Sequence, residues 1–277
     1  MVRNSKRARA VLDLAIPSTP ANSFLTDICM WFIRDRGNWR PSRTWVALLG
    51  ALDIPTPTAR TALHRMTKAG FLEGQTQGGH RGYAMSRAWL DLWDRNDTGL
   101  PEPQESEALW TLVIFSIPEA KRADRHTMRT LLGRHGFAPL GNGVWIGSAT
   151  HLGSVRRELE FTTLAGHVDL FQARYEGSMA LPELASRCWD LDSMQVAYEG
   201  FIRDVRRHLR SAPTEGEGAY RALVKTSNAW RRLNFRDPLL PLSALPGDWP
   251  RAEANRLHDE LVERFLAPAR AYVSSQD

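Results

Sequence analysis

The sequence has 277 residues, of which 43% are hydrophobic and 24% are charged, an ordinary globular composition. No apolar run approaches the ~20 residues that span a bilayer, and the basic start lacks the long apolar core and cleavage site of a signal peptide. Two widely separated cysteines argue against a disulfide framework or a metal site, so a cytoplasmic protein without cofactor is predicted.

Positive charge is concentrated in the first third of the chain. The net charge is +5, but residues 1–96 hold 14 Lys/Arg against 7 Asp/Glu, and the remainder holds 22 against 24. A cationic domain of this kind binds polyanions by counterion release. The charge could instead serve only solubility, but its confinement to one segment favours nucleic-acid binding. Residues 1–17 are predicted to form an arm or first segment that packs on this domain.

Three helices and a hairpin are predicted next. The apolar spacing predicts helices over 24–36 and 42–52, the second capped by Ser42. A third helix follows, with Thr56 as N-cap, Pro57 at its first position and Gly70 as its stop. Strands beginning at residues 71 and 83 then flank a basic, glycine-rich tip, Gln77–Gly82. This is the order of a winged helix-turn-helix.

The polar face of the third helix, the hairpin tip and the start of the second helix carry the candidate DNA contacts. Their side chains are donors or cations, the types that bind base edges and phosphates. A face that is merely solvated, and an arginine pair that is merely exposed, are the alternatives. The candidates are Arg40, Arg43, Thr58, Arg60, Thr61, His64, Arg65, Lys68, His80 and Arg81.

A further helix over 87–96, capped by Ser86, precedes a proline-rich acidic linker. The next segment alternates strands and helices in the order βαββαβ, which is the ferredoxin-like arrangement. The predicted elements are strand 110–117, helix 122–135, strands 136–140 and 143–146 around Gly141-Asn142, helix 152–164 and strand 167–175.

The rest of the chain is predicted to be helical, with helices over 184–209, 220–235 and 252–272 and a proline-punctuated crossing between the last two. The fold class is therefore α+β. The predicted divisions are a winged-helix DNA-binding domain (1–96), a linker (97–107), a ferredoxin-like dimerisation or scaffold domain (108–178) and a helical C-terminal domain (179–277).

No catalytic constellation is present. The sequence lacks a Walker loop, a dinucleotide fingerprint, a nucleophile elbow and the H-E-x-x-H motif, and its eight histidines are scattered. The chain is therefore predicted not to be an enzyme.

Three motifs resemble the PaaX family of regulators. The run W-x-L-V-I-F-S-I-P-E, the arginine-rich helix that ends in G-F, and G-V-W-I lie at 110–119, 122–137 and 143–146. R-D-P-x-L-P and L-P-G-D-W-P, at 236–241 and 245–250, resemble that family's C-terminal signature. With the N-terminal segment, the resemblance covers roughly residues 20 to 273.

The resemblance implies a bacterial transcriptional repressor of the phenylacetic-acid type. Such proteins are homodimers that bind a palindromic double-stranded DNA operator and are released by an aryl-acetyl-CoA or related acyl-CoA thioester. No membrane partner is implied. The effector pocket is not assigned. A CoA thioester needs cations for its phosphates and an apolar slot for its acyl group, and the C-terminal helices contain side chains of these types: Arg203, Arg206, Arg207, Arg210, Trp230, Arg231 and Arg232.

Two other functions remain open at this point. The middle segment also resembles the CRISPR-associated adaptation endoribonuclease, whose metal-dependent members carry an acidic residue near the end of the first strand. Here Ser116 and Ile117 occupy that region and Glu119 lies beyond Pro118, so a metal-dependent nuclease is disfavoured. A protein-interaction module that binds DNA without sequence preference is the second alternative.

Overall fold

The computed structural model describes residues 19–96, 109–160 and 162–277. The predicted arm, 1–17, and the predicted linker, 97–107, lie outside these residues. The chain forms two compact units, the first from residues 1–99, 201–230 and 255–277 and the second from 100–200 and 231–254. The predicted helical segment over 179–277 is therefore divided between the two units.

The first unit begins with helices and a small antiparallel sheet. The elements are α1 (Pro20–Ile28), β1 (Trp39–Pro41), α2 (Ser42–Gly50), α3 (Thr56–Lys68), β2 (Leu72–Gln77), β3 (His80–Met85) and α4 (Arg87–Asn96). A π-helical turn, Cys29–Ile33, extends α1. The predicted order of three helices and then a hairpin is the order observed. The short strand β1, which pairs with β3, was not predicted.

Two of the predicted helix caps are wrong by one residue. Ser42 and Thr56 are the first residues of α2 and α3, and the extended residues before them are prolines. The Ser42 hydroxyl instead donates to the Arg81 carbonyl at 3.0 Å, which ties α2 to β3. The Ser86 cap is confirmed, because its hydroxyl accepts the backbone N–H of Trp89 at 3.2 Å.

The hairpin turn is shorter than predicted. Gly78 and Gly79 both have positive φ, 55° and 78°, and Gln77 pairs directly with His80 across the strands. Two consecutive left-handed residues make the tight turn whose twist matches that of the flanking strands. The predicted six-residue tip is therefore wrong, and the strands continue almost to the turn.

Segments far along the chain complete the core of the first unit. Helices α8 (Leu191–Ser211), α9 (Gly216–Arg236) and α10 (Arg251–Ser274) contribute residues 201–230 and 255–274 to this unit. The Tyr220 ring lies 5.5 Å from Phe32 and 5.3 Å from Tyr272. Phe32 and Tyr220 are almost fully buried, and full burial of a large apolar side chain stabilises the fold by roughly 1.5–3 kcal/mol. The unit is therefore one core built from separated stretches of sequence.

The second unit contains a four-stranded antiparallel sheet. The elements are β4 (Trp110–Phe115), α5 (Arg122–Arg134), β5 (Ala138–Gly141), β6 (Val144–Ser148), α6 (Leu152–Glu160), β7 (Val168–Ala173) and α7 (Leu181–Cys188). The predicted βαββαβ order is confirmed, and the strands lie side by side as β5, β6, β4, β7. Val113, Phe115, Met128 and Val155 belong to one buried cluster, so α5 and α6 cover one face of the sheet.

The helix predicted over 184–209 is broken. Helix α7 ends at Cys188, and Trp189 is extended, with φ −128° and ψ 147°. Its indole N–H donates to the Gly136 carbonyl at 2.8 Å, and its ring stacks on Trp110 at 6.0 Å. These tertiary contacts override a helical pattern that continues across the break.

A buried ion pair follows α9. The Asp237 carboxylate accepts the Nε and Nη2 groups of Arg251 at 2.8 and 2.7 Å, and the backbone N–H of Leu239 at 2.7 Å. The Tyr198 hydroxyl donates to the same carboxylate. Both charged side chains are at most 8% exposed.

Across the described residues, no helix has the length and apolarity needed to cross a membrane.

Candidate nucleic-acid interface

Helix α3 has one buried face and one polar face. Ala59, Ala62, Leu63 and Met66 recur at helical spacing and are almost fully buried, as predicted. Their burial fixes the rotation of the helix, because the apolar stripe must face the core. The remaining side chains of the helix are therefore presented to solvent.

The polar face of α3 carries six of the predicted contacts. No acidic residue occurs between positions 56 and 68, so the face is uniformly neutral or cationic. Cationic and hydroxyl side chains donate hydrogen bonds to phosphates and to base edges. All six are exposed: Thr58, Arg60, Thr61, His64, Arg65 and Lys68.

The first turns of α3 border a shallow cavity. The cavity has a volume of about 290 Å³, and its lining includes Thr19, Thr58, Thr61 and Arg65. The Thr61 hydroxyl donates its proton to the Pro57 carbonyl at 2.9 Å. The lone pairs of the Thr61 hydroxyl oxygen can still accept hydrogen bonds. Threonine side chains and Arg65 therefore line the same cavity.

The remaining predicted contacts lie on neighbouring elements. His80 and Arg81 are exposed on β3, immediately after the glycine turn, and so belong to a strand and not to a flexible tip. Arg43 is exposed at the second position of α2. These three exposed side chains belong to the same unit as α3.

Arg40 differs from the other candidates because it is only 8% exposed. Its Nη1 donates to the carbonyls of Arg36 and Trp39 at 2.8 and 2.6 Å, and its Nε lies 3.1 Å from the Asp277 carboxylate. The β1 and β3 backbones also approach closely, since a Cβ at Gly82 would lie 2.2 Å from the Arg40 carbonyl oxygen. The guanidinium holds β1 in place and is not presented to solvent.

The turn between α2 and α3 is held by helix α9. Asp53, in this turn, has a positive φ of 65°. Its two carboxylate oxygens accept the Arg221 guanidinium at 3.0 and 2.7 Å, and Lys225 Nζ lies 2.8 Å from Oδ2. The hydrogen bonds from Arg221 and then Lys225 lower the pKa of Asp53 to about 2. The carboxylate is therefore ionised at neutral pH.

Side chains of α9 also bind α1 and the C-terminal end of α2. The Tyr220 hydroxyl donates to the Leu48 carbonyl at 2.9 Å, and Arg221 donates to the Ala51 carbonyl. Asn228 Nδ2 donates to Asp27 Oδ2 at 2.5 Å. Sequence reasoning missed all of these contacts because their partners are 170 or more positions apart, and no local pattern records such a pairing.

The middle segment provides little for a metal ion. Among residues 19–96, 109–160 and 162–277, no three metal-ligating side chains come together. Glu119, the acidic residue nearest the end of β4, is ion-paired with Arg125. Arg125 also donates from Nε to the Ile117 carbonyl at 2.7 Å, so the cation is fixed beside the carboxylate.

Two of the candidate effector residues, Trp230 and Arg207, are engaged in contacts within the chain. Trp230 is packed between two rings, with Phe201 at 5.1 Å and His258 at 5.2 Å. Arg207 is ion-paired with Asp204. No effector site is assigned to these side chains.

Comparison with known families gives consistent matches along the chain. A model described as "PaaX-like protein" matches residues 21–88, and "PaaX protein central Cas2-like domain" matches 103–185. "PaaX-like protein C-terminal domain" matches 189–275. The three models follow one another in the order that the sequence motifs predicted.

Two known proteins resemble most of the chain. The transcriptional repressor PaaX of Escherichia coli (strain K12) is 27% identical over 241 residues, which cover 83% of this chain and 75% of that protein. The structure of the uncharacterized protein Rv0674 from Mycobacterium tuberculosis has a TM-score of 0.63 at 23% identity. That match covers 92% of this chain and 98% of the other, and it establishes similarity of fold.

Proposed function

The chain belongs to the PaaX family, and we propose on this premise that it is a cytoplasmic transcriptional repressor of aromatic catabolism. It binds a palindromic double-stranded DNA operator as a homodimer. The observation that carries this proposal is the exposed face of α3, which has no acidic residue in a unit whose N-terminal stretch is strongly basic. The similar E. coli protein is itself a transcriptional repressor.

The proposed interface is a winged helix-turn-helix. Helices α2 and α3 form the helix-turn-helix and the β2–β3 hairpin forms the wing. Helix α3 enters the major groove, and His80 and Arg81 contact the phosphate backbone beside it. Arg43 provides a further phosphate contact from α2. Arg40 is left out of the interface because its guanidinium is buried and hydrogen-bonded.

The proposed effector is an aryl-acetyl-CoA or related acyl-CoA thioester. Effector and operator bind different conformational states, so each weakens the other by the same coupling free energy, typically about 1–3 kcal/mol. The support for this class of ligand is family membership.

A footprint on the intergenic DNA beside the protein's own gene tests the proposal. We expect one protected palindrome, and we expect that one thioester from a panel of acyl-CoA compounds abolishes the protection. Uniform weak protection would instead favour an interaction module that binds DNA without sequence preference. Protection that survives every thioester would eliminate the proposed effector class.

Arg65→Ala is expected to weaken specific binding by about 1–3 kcal/mol, because the lost guanidinium would otherwise bind a guanine or a phosphate. The measurement is a mobility-shift titration at fixed salt. Arg256→Ala is the matched control, since Arg256 is an exposed arginine on α10 that is not among the proposed DNA contacts. Equal affinities of the Arg65 variant and the wild type would show that α3 is not the recognition helix.

The sheet of the second unit offers a surface for the homodimer. Ile114 and Phe171 lie on the face opposite the buried Val113, and are 39% and 51% exposed. Large apolar side chains clustered on one face are typical of protein interfaces. We propose that a second copy of the chain covers this face, which would supply the second α3 that a palindrome requires.

Phe171→Glu is expected to convert the dimer to a monomer, because a buried carboxylate would oppose the apolar contact. Sedimentation equilibrium measures the change in mass. Phe235→Glu is the control, since Phe235 is even more exposed, at 72%, but lies on helix α9 and not on the sheet. A dimer that tolerates the Phe171 substitution as well as the control would place the interface elsewhere.

We propose no enzymatic activity for the chain. The nuclease alternative requires a carboxylate at the end of β4 that is available to a metal ion, whereas Glu119 is paired with Arg125. Incubation of the protein with RNA and DNA in the presence of Mg²⁺ or Mn²⁺ is expected to give no cleavage. Metal-dependent products would instead support the nuclease.

A further inference from the structure

Helix α9 contacts the end of α2 at two backbone positions. The last carbonyls of a helix have no intrahelical partner and carry the negative end of its dipole. The Tyr220 hydroxyl binds the carbonyl of Leu48, and the Arg221 guanidinium binds the carbonyl of Ala51. Arg221 and the neighbouring Lys225 also bring positive charge to this helix end. Helix α9 therefore acts as a cap for α2.

The same cations hold the turn that leads into α3. Asp53 stands three positions before the first residue of α3 and has a left-handed backbone conformation. Its carboxylate receives three bonds of 2.7–3.0 Å from Arg221 and Lys225. A residue in the left-handed region holds its conformation only where surrounding contacts stabilise it. The ion-paired cluster provides such contacts.

We propose that Arg221 and Lys225 are positioning residues for DNA binding, which act through Asp53 on the orientation of α3. This inference rests on the proposed function, since it concerns how α3 is aligned for the operator. Base-edge contacts require the reading side chains to be held within about 0.5 Å of their productive positions. A turn fixed at Asp53 by α9 provides that alignment from a helix that makes no proposed contact with DNA.

The cluster is exposed enough to be removed without unfolding the chain. The side chain of Asp53 is 64% exposed, and those of Arg221 and Lys225 are 32% and 37% exposed. Ion pairs of this exposure contribute roughly 0–1 kcal/mol to stability. An effect on operator binding can therefore be separated from an effect on folding.

The test compares Asp53→Asn and Arg221→Gln in the full chain. Asparagine tolerates the left-handed conformation, so the first variant removes the charge and keeps the backbone preference. The probes are a duplex selected by the wild-type protein from a random-sequence library and a scrambled duplex of equal length. Arg256→Gln and Glu260→Gln, which remove an exposed pair on α10, are the charge-matched controls.

Both variants are expected to weaken binding to the selected duplex by about 3- to 30-fold, the range for residues that act at a distance from a site. Binding to the scrambled duplex should change little. A purely electrostatic effect would instead have opposite signs, because one variant removes an anion and the other a cation, and it would act on both duplexes. The double variant should lose less than the sum of the two single variants, because both single variants remove the contact between Asp53 and Arg221.

Two failures are distinguishable. If selection with the wild-type protein yields no preferred sequence, the proposed repressor function is wrong. If the wild-type protein selects a sequence and both variants retain its affinity, the positioning role is wrong and the ion pairs serve only local structure. Opposite signs on both duplexes would also overturn the positioning role.

Discussion

Arg251→Met is expected to lower the free energy of unfolding by about 3–5 kcal/mol, the cost of breaking a buried ion pair by removing one partner. The substitution leaves Asp237 buried without its two bonds from the guanidinium. Methionine fills similar space, so the loss reports the uncompensated charge and not a cavity. The Tyr198 hydroxyl donates a hydrogen bond to this carboxylate but does not transfer its proton to it, because burial and then the Asp237 charge raise the pKa of the hydroxyl.

Urea unfolding followed by tryptophan fluorescence measures this loss, since Trp110 and Trp189 are stacked in the same unit as Asp237. Arg256→Met is the control on the same helix and should change stability by no more than about 0.5 kcal/mol. Asp237→Asn combined with Arg251→Met removes both charges and should be less destabilised than Arg251→Met alone. A single variant as mild as the control would contradict the assigned burial of the pair.

Acidification from pH 7 to pH 4 is expected to remove about 3 kcal/mol of stability through His151. Burial, and then the charge of His135, lower the pKa of His151 from 6.5 to about 4, although the backbone of Pro238 and the charge of Asp237 oppose the shift. Its buried Nε2 has no hydrogen-bond partner among the described residues. The folded protein therefore keeps this imidazole neutral at pH values where the unfolded chain protonates it.

The direction of this effect follows from proton counts. Between pH 6.5 and pH 4 the unfolded state binds more protons at His151 than the folded state, so stability falls as the pH is lowered through this window. His151→Gln cannot titrate and should flatten the dependence, even if it lowers stability at pH 7. Urea unfolding at several pH values makes the comparison. If both proteins lose the same stability between pH 7 and pH 4, another group is responsible.

Local chemistry made much of the fold predictable. The helical spacing of the apolar residues predicted α3 and its buried face, because residues three and four positions apart lie on the same side of a helix. Gly70 has the positive φ of 80° expected of a residue that follows a helix end, and Ser86 caps α4. These features depend on neighbours within about four positions, the range over which a sequence pattern is informative.

Features that depend on distant partners were not predictable. Arg40 looked exposed in sequence, but its side chain is buried and lies 3.1 Å from the distant Asp277 carboxylate. The helical pattern across Trp189 gave no sign of the break that its bond to Gly136 imposes. Asp53 and Arg221 are 168 positions apart, and only the fold brings them together. In each case a tertiary contact decides the conformation.

The first unit is assembled from three stretches of sequence, which has a consequence for its synthesis. The ribosome completes α3 about 160 residues before it completes the segment 201–230 of the same unit, and the segment 255–277 comes later still. At roughly 5–20 residues per second, the helix waits on the order of 10–40 s for these partners. Nascent chains and fragments that stop before residue 201 therefore carry every proposed DNA contact without a finished core.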